Sequence, residues 1–61
     1  MMCPVPAGYS LSKTYSYRKE VVHIYTDGEH YIFASGELQS EGDVLWLTVS
    51  APTRIGNAPP N

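Results

Sequence analysis

Asp27-Gly28 lies between two stretches rich in β-branched and aromatic residues, and no other feature limits the fold of this chain as strongly. A two-residue type I′ turn needs positive φ at both central positions, which Asp and Gly tolerate, so the pair predicts a β-hairpin. The flanking stretches, residues 17–25 (YRKEVVHIY) and 31–38 (YIFASGEL), read as strands. A third follows at residues 44–50 (VLWLTVS), after Ser40-Glu41-Gly42-Asp43, where Glu41-Gly42 is a second hairpin turn. The fold class expected is all-β: a small antiparallel meander of three to four strands.

Composition places this meander at residues 15–50. Residues 1–14 carry Pro4, Pro6 and Gly8 and read as an irregular arm, with residues 9–14 offering a short edge strand. Residues 51–61, with Pro52, Gly56, Pro59 and Pro60, read as a flexible Pro-rich tail.

The two turns set a register. With Asp27-Gly28 central, Thr26 faces Glu29, His23 faces Ile32 and Val21 faces Ala34. With Glu41-Gly42 central, Leu38 faces Leu45 and Ala34 faces Val49. Side chains alternate with period 2. One face then collects Tyr17, Val21, His23, Tyr25, Ile32, Ala34, Leu38, Leu45, Leu47 and Val49. The other carries Val22, Ile24, Tyr31, Phe33, Val44 and Trp46 among polar residues, with Arg18 opposite Glu37 and Glu37 opposite Trp46.

Such a chain is short of material to cover its own sheet. It has 61 residues, so it buries only about 60% of the surface its unfolded form exposes. Its one cysteine, Cys3, cannot form an internal disulfide, and no segment reads as an amphipathic helix. Association is the expected remedy, most simply a homodimer, with or without a larger protein partner. The alternative is a meander curled into a small barrel, bent at Gly36.

Function classes narrow by exclusion. The net charge is -2, with 4 Lys+Arg against 6 Asp+Glu, which is a poor footprint for duplex DNA. No apolar run nears the roughly 20 residues of a membrane span. No cationic stretch precedes an apolar one at the N-terminus, so no secretory signal is expected and a cytoplasmic location is. Catalysis is not expected. Cys3 stands before a proline with no fixed base, and Glu20, Glu37, Glu41 and Asp43 read as a solvated face and a loop. His23 and His30, diagonal neighbours in this register, are weak metal candidates without a complete ligand set, so no metal or other cofactor is expected.

The aromatics carry the functional expectation. Val22, Ile24, Tyr31, Phe33 and Trp46, rimmed by Arg18 and Glu37, resemble a protein-binding hot spot. They point to a small non-enzymatic regulator or inhibitor that binds a larger protein or self-assembles. Accessory proteins of phages and mobile elements are of this kind. The alternative is single-stranded nucleic-acid binding by Tyr17, Arg18, Lys19, Tyr31, Phe33 and Trp46, with bases stacked on rings and cations on phosphates.

Overall fold

A computed structural model describes residues 5–56. They form one antiparallel sheet and no helix: β1 (Ser10–Tyr17), β2 (Glu20–Thr26), β3 (His30–Ser40), β4 (Asp43–Val49) and β5 (Thr53–Arg54). The order is β1-β2-β3-β4, and β5 pairs with the start of β3 on the edge that β4 also uses. All five strands belong to this one sheet, so the described residues form a single layer. β1 and β4 end the strand order and do not pair with each other, so the curled barrel is not formed.

The all-β meander is as expected, and its hairpins differ in detail. The first is unforeseen. Arg18 and Lys19 form a two-residue turn that splits the expected strand 17–25, and Tyr17 pairs back with Glu20. Arg18 takes φ 58°, a region costing an ordinary residue about 1–2 kcal/mol. Seven cross-strand pairs follow from it, with one register shift between Leu11 and Lys13. The turn carries Tyr17 off the apolar face, and it is 69% exposed. The expected edge strand at 9–14 is therefore longer and reaches Tyr17.

The β2–β3 register differs from expectation by two residues: Thr26 pairs with Tyr31, and His23 with Ala34. The cause is side-chain chemistry in the turn. Asp27 Oδ1 accepts the backbone N–H groups of Glu29 (2.8 Å) and His30 (2.7 Å). Thr26 Oγ1 accepts from Gly28 N–H and donates to the His30 carbonyl. These bonds stabilise a wider loop than the two-residue turn. A shift of two leaves every side chain on its expected face.

The β3–β4 hairpin keeps Glu41-Gly42 at its centre, with Ser40 paired to Asp43 and Gly42 at φ 79°. Register shifts between Leu38 and Ser40 and between Ser35 and Gly36 then bracket a one-residue slip. Inside it Leu38 meets Val44, Glu37 meets Leu45 and Gly36 meets Trp46; beyond it Ala34 meets Val49, as expected. Such a slip exchanges the faces of the residues within it. Val44 and Trp46 join the core face, and Leu45 leaves it. The Trp46 ring lies 4.7 Å from that of His23, centroid to centroid. Gly36 permits the approach: a Cβ there would stand 2.5 Å from the Leu45 carbonyl oxygen.

The core face holds Val21, Ile32 and Ala34, which are buried, flanked by half-buried His23, Tyr25, Leu38, Val44 and Trp46. Residues 51–56 depart from the expected tail by forming β5. The rest of that tail, and Cys3, Pro4 and their neighbours in the arm, lie outside the described residues.

Candidate interaction surface

The second face gathers a smaller apolar patch near the Asp27 turn. Lys13, Ile24 and Phe33 form one row across β1, β2 and β3, and Thr26 and Tyr31 belong to the next. Tyr31 and Phe33 meet edge to face at 5.0 Å between centroids, a preferred aromatic geometry. Ile55 arrives from β5, whose pairing is extended by its N–H donating to the Glu29 carbonyl at 2.9 Å. With Ser12 these residues line a shallow groove of about 290 Å³.

The groove rests on well-held backbone. Phe33 N–H donates to Ser50 Oγ at 2.9 Å, and Ser50 N–H donates to the Phe33 carbonyl at 2.8 Å. Strands hold contact residues more accurately than loops do. Phe33 is nevertheless 45% exposed and Ile55 48%, while Ile24, Tyr31 and neighbouring Val22 are half-buried.

The adjacent turn concentrates charge. The backbone donors of Glu29 and His30 hold the Asp27 carboxyl below its ordinary range, and His30 Nδ1 lies 3.4 Å from Oδ2. Tyr9 from the arm sits beside this carboxylate. Desolvation first, then the Asp27 charge and hydrogen bond, push its hydroxyl upward. The arm is thereby tied to the same end of the sheet.

Four of the expected contact residues, Val22, Ile24, Tyr31 and Phe33, do come together. Trp46 does not join them, because the β4 slip turns it to the core face against His23. Arg18 is not opposite Glu37: it sits in the first turn, its guanidinium 5.3 Å from the Tyr17 ring centroid, and Glu20 pairs with Glu37 instead. The nucleic-acid constellation is likewise divided. Tyr17, Arg18 and Lys19 stand at the opposite end of the sheet, roughly 20 Å along the strands from Tyr31. His23 and His30 separate too, since His23 faces Ala34, roughly 13 Å along β3 from His30. Among the described residues no three His, Cys, Asp or Glu groups are placed to hold a metal ion, and no helix is long and apolar enough to cross a membrane.

Lys13 and Ile55 line the groove without being among the expected contact residues. Ile55 is a lone apolar residue in a Pro- and Gly-rich stretch, without periodicity to mark it. The chain matches no protein-family model, no curated protein and no solved structure, so what it does has to be read from its own residues.

Proposed function

We propose that this chain is a small non-enzymatic interaction module, a regulator or inhibitor that binds a larger protein or a further copy of itself. The contact surface is the face bearing Val22, Ile24, Tyr31, Phe33 and Ile55. The observation that supports this is the Phe33–Tyr31–Ile55 groove, an apolar surface set on paired strands and left exposed by the described residues. Exposed apolar patches with aromatic anchors are characteristic of binding sites.

The test is native mass spectrometry on protein purified from its own host, with Phe33→Ala alongside. The wild type is expected to carry additional mass, a larger protein or further copies. Phe33→Ala is expected to weaken that contact by about 2 kcal/mol, roughly thirtyfold, with its fold intact. A Phe33→Ala chain that unfolds, or one that binds as the wild type does, removes the proposal.

A further inference from the structure

Most of the basic residues of this chain lie along one edge of the sheet. Lys13, Arg18 and Lys19 all lie on β1 or its turn, and Arg54 is the only other Lys or Arg. The 6 acidic residues all fall between Glu20 and Asp43. The two outer strands therefore differ in sign at one end of the sheet. There β1 runs into Arg18 and Lys19, and β4 begins beyond Glu41 at Asp43.

The register shows how the edges relate. Tyr17 pairs with Glu20, Glu20 with Glu37 and Glu37 with Leu45, a single row on the second face from one edge to the other. Its ends are both apolar and exposed, Tyr17 at 69% and Leu45 at 41%. In a meander of this order β1 and β4 run in opposite directions. A second copy displaced sideways, without turning over, would bring its β1 antiparallel to the β4 of the first. Leu45 would then meet Tyr17 of the next copy, and Glu41 and Asp43 would meet its Arg18 and Lys19. The register shifts at Leu11/Lys13 and Ser35/Gly36 lie farther along, so the pairing is confined to the end where charge and apolar surface match.

We propose that copies of this chain join head to tail, the β1 edge of one pairing with the β4 edge of the next through Tyr17 against Leu45 and Arg18/Lys19 against Glu41/Asp43. This goes beyond the function proposed above, because these edges are a contact surface separate from the face bearing Phe33. Edge pairing supplies backbone hydrogen bonds, and the charges set direction and register. The contact is heterologous, so it builds rings or open chains rather than stopping at a two-fold dimer.

Charge reversal tests it. Sedimentation at high protein concentration and low salt should show wild-type species beyond a dimer. These should dissociate as salt rises from about 0.01 M to about 1 M and the screening length falls from about 30 to about 3 Å. R18E/K19E alone and E41K/D43K alone should each be monomeric, and an equimolar mixture should recover the wild-type size. Circular dichroism checks each fold. If a reversal unfolds the chain, Lys19→Gln or Glu41→Gln replaces it and should shift the wild-type assembly toward monomer. A monomeric wild type, E41K/D43K assembling unaided, or folded variants that fail to rescue each other overturns the inference. Should the wild type be monomeric while Phe33→Ala still releases a larger partner, the edge pairing falls and the proposed function stands.

Discussion

The two hairpins that share β3 are built to different standards of regularity. β2 and β3 pair without a break from Glu20–Glu37 to Thr26–Tyr31, closed by a loop that Thr26 and Asp27 brace with their side chains. β3 and β4 pair through two register shifts around a short slipped segment. The first ladder holds its alternation to the end. The second gives up regular pairing to bring Trp46 onto the core. The difference shows what a small single sheet gains from irregularity: one large ring moved to the side where burial is available.

The largest expected effect that would break this comparison is Trp46→Ala. If the slip exists to bury that ring, the variant should lose about 3 kcal/mol of stability in urea titration. Intact stability with loss only of partner binding would return Trp46 to the surface. Gly36→Ala comes next. Its new Cβ meets the Leu45 carbonyl oxygen and Val44 Cγ1, so β4 must retreat, at about 1–3 kcal/mol. Hydrogen exchange should show faster opening along β4 while β2 keeps its protection; equal loosening of both strands would contradict the division. The smallest effect sharpens the regular side. Asp27 has a folded pKa below its unfolded value, so its contribution is full above the unfolded pKa of about 3.9 and is lost as pH falls through the folded value. Acid titration of Asp27→Asn should lack this part of the wild-type decline, and identical curves would show that the turn bonds do not stabilise the fold.

What was legible in the sequence follows the same division. Alternation in β2 and β3 fixed their faces, and because the Asp27 loop widened the register by two, the error left those faces unchanged. Glu41-Gly42 was legible because only glycine readily takes the φ that Gly42 needs. The slip in β4 was not, since nothing local in VLWLTV marks which residue is skipped; the choice depends on the His23 ring and the missing Cβ of Gly36. The Arg18-Lys19 turn carries no Gly or Asn, and its shape is imposed by the strands it joins. The alternation accordingly placed Val22, Ile24, Tyr31 and Phe33 on one face, as the structure does, but put Trp46 on the face opposite to the one it occupies, and it gave Ile55 no position among them.

The placement of β5 has a consequence in time. Neighbouring strands from β1 to β4 are consecutive in the chain and joined by short turns, so each can close with little loop entropy. β5 differs. Its pairing of Arg54 with His30 closes a far longer loop than any of those turns, which carries the larger entropic cost and favours later closure. Ile55 follows β5 into place, so the groove beside Phe33 is completed late, and a chain caught before that step would have its sheet but not its finished contact surface.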